Sequence, residues 1–263
     1  MKLGVCVVLY ERECKSIKSY LGMSDCVAVV DNGNNTAPED AHYISMNGNK
    51  GIAAALNEGI NYLKNQGCSV VLTMDDDSIF PFESAEDILK IVVENISSYG
   101  ILTINFNSFP EKKTDRIVDV KNWITSGNFV NLEAWEKTGG YREELFIDYV
   151  DFDFCARVKK AGYRIGLLED YSIVQTIGSP IEFRVFGKTF HAMNHSAVRD
   201  YYRFRNARYL AREDFGTFGG EYLKEIFWQY PKMILFENNL NEKKIMIKQG
   251  KKDAKKGKLG KLE

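Results

Sequence analysis

An apolar strand that ends in three consecutive acids constrains the fold of this chain more than any other feature. Residues 68–74 form an apolar, β-branched run typical of a buried strand, and Asp75, Asp76 and Asp77 follow it directly. Ligands of an open parallel sheet bind beyond the carboxyl ends of its strands, where three adjacent carboxylates repel one another unless water or a cation offsets their charge. A hard divalent cation that is shared with a diphosphate meets this requirement, and an ordinary acidic turn is the alternative.

Strands and helices alternate along the first hundred or so residues. Apolar strands are predicted at residues 3–9 and 26–30, and a helix with apolar residues at near-helical spacing is predicted at residues 52–63. The acid-bearing strand follows, and another helix starts at about Ser84. This order predicts an α/β fold with a mostly parallel, doubly wound sheet. One edge of that sheet would collect the polar residues that follow its strands, which are Tyr10, Asp31, Asn32, Lys50 and Asp75 to Asp77.

The composition excludes several classes of protein. The chain has 263 residues, of which 44% are hydrophobic and 27% are charged, as in ordinary soluble globular proteins. A formal net charge of -1 disfavours a general nucleic-acid-binding protein. The sequence shows neither a signal peptide nor an apolar run of the roughly 18 residues that a membrane-spanning helix requires. The five cysteines form no CxxC pair, so we expect a cytoplasmic protein with reduced thiols.

Two common phosphate-binding devices are missing from the sequence. The turn after the first strand contains no glycine, so the dinucleotide-binding fingerprint is absent. In the Gly-Lys-Thr stretch at residues 187–189, Glu182 stands where a P-loop requires its first glycine. Neither a typical NAD enzyme nor a P-loop NTPase is therefore expected.

A second acidic cluster lies at residues 146–157. The paired glycines at residues 139–140 are expected to end a short helix before it. If the next helix begins near Asp151, that residue caps it, and Asp153 pairs with Arg157 one turn further along. Asp148 and Asp151 would then lie in the loop before the helix or at its first residue.

The C-terminal part of the chain changes to aromatic and basic residues. Residues 199–209 place arginines and tyrosines at helical spacing, which predicts either a pocket for an anionic ligand or a helix packed on the domain. Bulky apolar residues at 226–236 precede a lysine-rich tail, which predicts either contact with an anionic bilayer or a solvated tail. We accordingly expect a catalytic domain at residues 1–210 and a helical, basic, membrane-associating extension at residues 211–263.

Several short segments, considered together, are more informative than any one of them. They are residues 7–10, 30–33, 47–59, 72–78, 125–127, 140–155 and 195–206, and they extend over most of residues 3–210. In this order they resemble the family 2 glycosyltransferases of the GT-A fold, and in particular the bacterial rhamnosyltransferase-like branch of that family.

The resemblance implies an inverting transfer of a sugar from a nucleotide-activated donor to a hydroxyl, with Mg²⁺ or Mn²⁺ on the diphosphate. By position, Asp75 and Asp77 match the family's DXD element, with Asp77 nearest the metal. Asp151 matches the catalytic base that takes the proton of the acceptor hydroxyl. The remaining matches are Tyr10, Asp31 and Asn32 at the base and ribose, Lys50 beside them, Asp76 within the DXD element, and Ser126 and Gly127 at the border of the sugar.

The sequence departs from the family's pattern at two places. Val150 stands where many relatives have an acid before the base, so Asp148 is an alternative base. Relatives often carry, after the strand near residue 170, a histidine that helps to hold the metal or the diphosphate, and this region has Gln175 instead. His195 is an alternative ligand, and a structural role for it stays open.

The leading hypothesis is a cytoplasmic glycosyltransferase that builds a surface polysaccharide. Its donor would be dTDP-rhamnose or a UDP-sugar, its acceptor would be a glycan or a polyprenyl-linked hydroxyl, and its basic tail would contact the inner face of the cell membrane. No nucleic-acid partner is expected. A metal-dependent sugar nucleotidyltransferase and a non-catalytic sugar-binding module are the alternatives.

Overall fold

The computed structural model describes residues 1–12, 16–24, 26–38, 40–108, 114, 116–175, 181–185, 188–192 and 194–263. The chain forms two compact units. The first comprises Met1–Glu143 and Val150–Thr176, and the second comprises Glu144–Tyr149 and Ile177–Glu263. This division differs from the boundary expected near residue 210, and the assignment of residues 1–210 as the catalytic domain stays a prediction.

The first unit contains a large sheet with helices, and the second unit is mainly helical. The strands are β1 (Leu3–Leu9), β2 (Val27–Asp31), β3 (His42–Ser45), β4 (Val70–Asp75), β5 (Ser78–Ile79), β6 (Tyr99–Phe106), β7 (Ile117–Asp119), β8 (Asn128–Asn131), β9 (Arg164–Gln175), β10 (Ile181–Val185) and β11 (Lys188–Ala192). The helices are α1 (Ile17–Met23), α2 (Ile52–Asn65), α3 (Ala85–Asn95), α4 (Leu132–Thr138), α5 (Val150–Lys160), α6 (Ala197–Glu213), α7 (Phe215–Lys224), α8 (Tyr230–Phe236) and α9 (Leu240–Lys256).

The large sheet is parallel on one side and mixed on the other. Its strand order is β3-β2-β1-β4-β8-β6-β9-β5, and β7 also pairs with β9. Strands β3, β2, β1 and β4 run parallel to one another, whereas β8 is antiparallel to both β4 and β6. The α/β fold expected from the sequence is confirmed, but the insertion of an antiparallel β8 next to β4 was not expected. Gly127, with φ of 83°, precedes β8 and donates its N–H to Thr73 O at 2.8 Å, so the pairing of β8 with β4 begins at this turn.

Helices cover both faces of the central strands, which explains why these strands are apolar throughout. Val7 of β1 and Ile88 of α3 belong to one buried cluster. On the opposite face, Gly59 of α2 lies directly against Cys6 and Val30. Because successive side chains of a strand point to opposite faces, a strand covered on both sides needs an uninterrupted apolar run.

The second unit is organised by the packing of α6 against α9. A Cβ added to Gly250 of α9 would lie 2.5 Å from the carbonyl oxygen of Tyr201 in α6, so the two helices approach closely at this glycine. Phe204 of α6 is buried with Met233 of α8 and Ile247 of α9. Of the two interpretations of residues 199–209, the structure supports the packed helix.

Among the residues that the structure describes, every helix is too short or too polar to cross a bilayer. The described cysteines are free thiols. Cys14, which the sequence analysis counted with them, lies outside the described residues.

The close approach at Gly59 can be tested by adding one methyl group. In Gly59→Ala the new Cβ would clash with the Cys6 sulfur and lie 2.8 Å from Val30 Cγ2, so we expect a loss of about 1–3 kcal/mol in the free energy of unfolding in urea. Gly22→Ala in α1 is the control, because no atom lies within 4 Å of its added Cβ, and we expect it to be neutral or stabilising by up to about 1 kcal/mol. Equal losses in both variants would contradict the packing described.

Candidate active site

The parallel strands bring the predicted site residues to one edge of the sheet. Leu9 pairs with Asp31 and Val8 pairs with Asp75, so β1, β2 and β4 end at the same level. The backbone N–H of Tyr10 donates to Asp76 Oδ2 at 2.7 Å, which joins the ends of β1 and β4. The edge predicted from the sequence therefore forms, with these residues next to one another.

Asp31 organises the loop that follows β2. Its carboxylate accepts hydrogen bonds from Tyr43 OH and Asn35 Nδ2 at 2.7 Å each, and from the backbone N–H groups of Gly33 and Asn35 at 2.9 Å each. Burial acts to raise the pKa of Asp31, but the hydrogen bonds from Tyr43, Asn35 and Gly33 outweigh it and leave the pKa below its ordinary value. Asp31 is therefore ionised at neutral pH and already has four donors.

Asn32 connects this loop to the turn before α2. Asn32 Oδ1 accepts from Lys50 N at 2.8 Å, and Asn32 Nδ2 donates to Asn49 Oδ1 at 3.3 Å. Asn49 Oδ1 also accepts from Gly51 N at 2.9 Å, where a φ of 94° suits glycine. The Lys50 side chain is exposed beside these groups.

The three acids divide into two roles. Asp76 turns to the Tyr10 amide, and its pKa is raised by burial, lowered by that hydrogen bond and raised again by Asp77, with a net increase. Asp75 and Asp77 instead face Gln175, whose Nε2 lies 3.4 Å from Asp75 Oδ2 and 3.3 Å from Asp77 Oδ1. The first and third acids thus share one donor group.

Ser126 and Gly127 form hydrogen bonds with the backbone at the end of β4. Ser126 is 1% exposed, and its Oγ accepts from Asp75 N at 3.1 Å. Gly127 is confined as well, because a Cβ there would lie 3.1 Å from Ile104 Cγ1. Both residues position the acid-bearing strand in this structure, and their contact with a sugar stays a prediction.

Asp151 lies in the first turn of α5. The helix begins at Val150, so Asp151 is its second residue and the expectation that Asp151 caps it is wrong. Asp151 Oδ1 accepts from Phe152 N at 2.9 Å. The predicted pair of Asp153 and Arg157 is confirmed, with Arg157 NH2 at 2.6 Å from Asp153 Oδ2. The pair joins two turns of α5, and Arg157 also donates to the carbonyls of Thr138 and Gly140 at 2.7 Å each, which attaches the helix to the end of α4.

Two buried groups of the first unit have raised pKa values. Burial and, after it, the charge of Asp75 raise the pKa of the Cys6 thiol to about 12. Burial raises the pKa of Tyr141 well above its usual value, and Cys155, Cys6 and Asp151 add to the increase. Burial is the largest cause of both increases, since it disfavours the charged form of each group.

Asp148 belongs to the second unit and lies in a strained turn. Phe146, Asp148 and Tyr149 have φ of 66°, 61° and 65°, a region that non-glycine residues adopt at a cost of roughly 1–3 kcal/mol each. Two fully buried side chains of α6 hold this turn. Asn206 Nδ2 donates to the carbonyls of Leu145, Ile147 and Asp148 at 2.8–2.9 Å. Arg205 Nη2 donates to the carbonyls of Glu144 and Leu145 at 3.2 and 2.9 Å. A strained backbone of this kind persists only where the surrounding contacts hold it in place.

Asp148 and His195 both lie near the cations of α6. Asp148 Oδ1 is 3.3 Å from Arg199 Nε. Burial, followed by the charges of Arg199, Arg203 and Lys243, lowers the pKa of His195 to about 3, so its imidazole is neutral at physiological pH. Its role as a metal ligand stays a prediction, as does the choice between Asp148 and Asp151 for the base.

The predicted metal ligands are only partly gathered in one place. Within the part of the chain that the structure describes, no group of three or more His, Cys, Asp or Glu side chains could hold an ion. Asp75 and Asp77 meet at Gln175 in the first unit, whereas His195 is in the second.

The sequence analysis overlooked several amides that hold the backbone of the site. Asn57 of α2 donates to Tyr141 O and accepts from Tyr141 N at 2.8 Å each, and Asn107 bonds both backbone groups of Gln175. Polar residues on the buried face of a helix, such as Asn57 and Asn206, were the available signal, because a buried amide requires partners.

A sheet of this topology, with acids at the end of β4, is typical of the GT-A fold. Residues 24–166 match the family described as Glycosyl transferase family 2. The dTDP-rhamnosyl transferase RfbF of Shigella flexneri is 32% identical to this chain, over 79% of each protein. The chain therefore belongs to the family 2 glycosyltransferases, as the resemblance indicated, and this sets aside the nucleotidyltransferase and the non-catalytic module.

Solved structures support the same fold. TarS 1-349 of S. aureus has a TM-score of 0.61 and 16% identity, over 97% of this chain and 81% of that one. The same protein in complex with UDP-GlcNAc has a TM-score of 0.63, over 97% and 80% of the two chains at 16% identity. GalNAc-T7 with UDP, GalNAc and Mn²⁺ has a TM-score of 0.59 and 9% identity, over 97% of this chain and 56% of that one.

The contribution of Asn206 to the strained turn can be measured as a change in the free energy of unfolding. Asn206→Ala removes the hydrogen bonds to the carbonyls of Leu145, Ile147 and Asp148, of which Leu145 O keeps the Arg205 guanidinium as a donor, so we expect the free energy of unfolding in urea to fall by about 2–3 kcal/mol. Asn105→Ala is the matched control, since the Asn105 amide donates to one carbonyl, Glu169 O at 3.2 Å, and should cost about 1 kcal/mol or less. Similar losses of stability in the two variants would contradict the conclusion that Asn206 stabilises the strained turn through several hydrogen bonds.

Proposed function

We propose that the chain is a metal-dependent, inverting glycosyltransferase. It moves a sugar from a nucleoside diphosphate donor to a hydroxyl of a glycan or lipid-linked acceptor in the synthesis of a bacterial surface polysaccharide. The observation that carries the proposal is the meeting of Asp75 and Asp77 at one donor group, at the strand edge that also holds Asp31.

The chemistry of the donor set fits Mg²⁺ or Mn²⁺. Asp75 and Asp77 supply carboxylate oxygens, and both face the amide of Gln175, a neutral group whose N–H atoms offset negative charge. These two acids would hold the cation. When it is bound, the cation stabilises the charge that the nucleoside diphosphate gains as the glycosidic bond breaks.

The residues around this position have separate tasks in the transfer. The Asp31 loop and the Tyr10 backbone shape the place for the base and ribose, with Lys50 at its border. Asp151 accepts the proton of the acceptor hydroxyl while the acceptor oxygen forms a bond to the anomeric carbon, and the bond from that carbon to the diphosphate breaks on the opposite face. Asp151 is favoured over Asp148, because Asp151 lies in the same unit as the DXD element.

The donor favoured here is dTDP-rhamnose. The support is the likeness to a dTDP-rhamnosyl transferase over most of both chains. The solved structures of lower identity support only the fold, so their UDP-sugars do not argue for a UDP donor in this chain.

Turnover of nucleotide sugars tests this proposal. We expect the wild type to release dTDP from dTDP-rhamnose in the presence of Mn²⁺ and an acceptor, faster than it releases UDP from UDP-sugars. Asp151→Asn should lower kcat by about 10²–10⁴-fold with little change in donor affinity, because a proton acceptor is lost. Asp148→Asn should retain most of the activity. A fully active Asp151→Asn, or a larger loss in Asp148→Asn, would exchange the roles of the two acids.

We also propose that the second unit docks on an anionic bilayer through the segment from α7 to α8. Five large apolar side chains of this segment face water: Phe227 is 73% exposed, Leu235 71%, Phe215 63%, Trp228 55% and Leu223 42%. Large apolar side chains that face water, with tryptophan among them, match the interfacial region of a membrane.

Helix α9 supports an anionic partner by its charge. It packs on α6, as α7 does, and its exposed side carries lysines. They are Lys244, Lys248, Lys252, Lys255 and Lys256. Each lysine near an anionic surface contributes on the order of 1 kcal/mol of attraction.

Vesicle sedimentation tests the docking. The double variant Phe227→Ser, Trp228→Ser should bind phosphatidylglycerol vesicles about tenfold or more weakly than the wild type, and high salt should weaken both. Val93→Ser, which changes a residue 55% exposed on α3 of the first unit, is the control and should bind as the wild type does. If the double variant binds vesicles normally and instead dissociates a dimer in light scattering, this face joins two copies of the chain.

A further inference from the structure

A cavity lies where the C-terminal ends of α6 and α9 meet in the second unit. Its volume is about 270 Å³, several times the roughly 30 Å³ that a water molecule occupies in the liquid. Six residues line it, which are Tyr209, Arg212 and Glu213 of α6 and Lys255, Lys256 and Gly257 at the end of α9. This α6–α9 cavity has room for a small ligand group together with part of its hydration.

Arg212 is fixed in the wall of the α6–α9 cavity. Its Nη1 donates to Ala254 O at 2.7 Å and to Lys255 O at 2.8 Å, two carbonyls in the last turn of α9. Among the described residues, the guanidinium forms no ion pair, and its Nε and Nη2 have no acceptor. These two nitrogens form one edge of the planar group, which is the edge that can bind two oxygens of a phosphate or a carboxylate at once.

The charges around the α6–α9 cavity are mostly positive. Lys255 and Lys256 are exposed, and neither forms an ion pair with a carboxylate of the described part of the chain. Of the six lining residues, one is an acid, Glu213, and its Oε1 accepts from Tyr209 OH at 2.7 Å. Three cations against one carboxylate favour an anionic ligand.

The α6–α9 cavity is next to the apolar segment from α7 to α8. Phe215, the first residue of α7, comes two residues after Glu213 and is 63% exposed. In the interfacial region of a bilayer, phosphate groups lie directly above the boundary that aromatic side chains enter. A cationic cavity beside an exposed aromatic ring therefore fits a lipid headgroup better than a free anion.

We propose that the α6–α9 cavity binds the phosphate of an anionic lipid headgroup. The Nε and Nη2 edge of Arg212 donates to two phosphate oxygens, and Lys255 and Lys256 supply the remaining positive charge. This inference rests on the proposed docking of the second unit on a bilayer. It adds a site of defined geometry to the general attraction between lysines and an anionic surface.

A soluble phosphate tests the site without a membrane. sn-Glycerol 3-phosphate is titrated into the full chain by calorimetry in the absence of divalent cations. Arg212→Lys keeps the charge but loses the two-nitrogen edge, so we expect about five- to tenfold weaker binding. Arg208→Lys, one turn earlier on α6 and outside the cavity lining, is the matched control and should bind as the wild type does.

Two double variants of α9 separate the site from general attraction. Lys255→Gln with Lys256→Gln should weaken the binding of sn-glycerol 3-phosphate about fivefold or more. Lys244→Gln with Lys248→Gln removes the same charge from exposed positions of the same helix outside the lining, and should leave that binding unchanged. Both double variants should bind phosphatidylglycerol vesicles more weakly, because both lose charge. The cavity variant should show the larger loss.

Vesicles test the lipid as the source of the phosphate. Arg212→Lys should bind phosphatidylglycerol vesicles about threefold or more weakly than the wild type, whereas Arg208→Lys should bind them equally well, although both keep their charge. The melting temperature of each variant is recorded. If Arg212→Lys is partly unfolded at the temperature of measurement, the comparison of the two lysine variants decides the result.

The outcomes separate the site from the docking on which it rests. If the wild type binds vesicles, but the cavity variants bind sn-glycerol 3-phosphate and vesicles as their controls do, the site fails and the docking stands. If the wild type binds neither probe, both proposals fail. Binding of sn-glycerol 3-phosphate without binding of vesicles would overturn the assignment to a lipid. Displacement of sn-glycerol 3-phosphate by dTDP with Mn²⁺ would place the probe in the donor site and overturn the inference.

Discussion

The mutual repulsion of Asp75 and Asp77 is the constraint on which the candidate site depends. A parallel sheet places the carboxyl ends of its strands at one edge, and this chain puts three acids at the end of the strand beside β1. The structure relieves the crowding by turning Asp76 to the Tyr10 amide and by placing the Gln175 amide between the other two. What remains is a concentrated negative charge whose described partners include the neutral groups of Gln175 and Ser78, which is a place suited to a divalent cation.

Side-chain amides hold the backbone around this charge. Asparagine can donate and accept at once and carries no charge, so it can bond both sides of a turn without altering the field at the acids. Asn32 and Asn49 connect the loop after β2 to the turn before α2, and Asn57 connects α2 to the loop before α5. Asn107 connects the end of β6 to the end of β9, and Asn206 connects α6 to the turn before α5. Neutral amides therefore hold these loops together with charged groups such as Asp31, whose carboxylate accepts four hydrogen bonds in the loop after β2.

The second unit adds two features of a different kind. Its α6 holds the strained turn at residues 144–149 with two buried side chains, immediately before the helix that carries Asp151. Large apolar residues in the segment from α7 to α8 face water, and α9 exposes lysines. The first feature fixes a turn of the backbone, and the second is the basis of the proposed contact with a bilayer.

The local pattern of the sequence determined the strands, the helices and the edge at which the acids lie. Apolar runs, turn residues and the spacing of α2 depend on neighbours within about 20 residues, which is why β1, β2, α2, β4 and the acid triplet were predicted correctly. The family membership was also visible, since the ordered segments are each short and local. Only the tertiary structure decided that β8 enters next to β4, that Gln175 meets acids 98 and 100 residues away, and that Arg205 and Asn206 are buried under a strained turn. These contacts depend on pairings between distant strands and helices, for which no short window of sequence carries a signal, and a charged or amide side chain shows its partners only when the chain around it has folded.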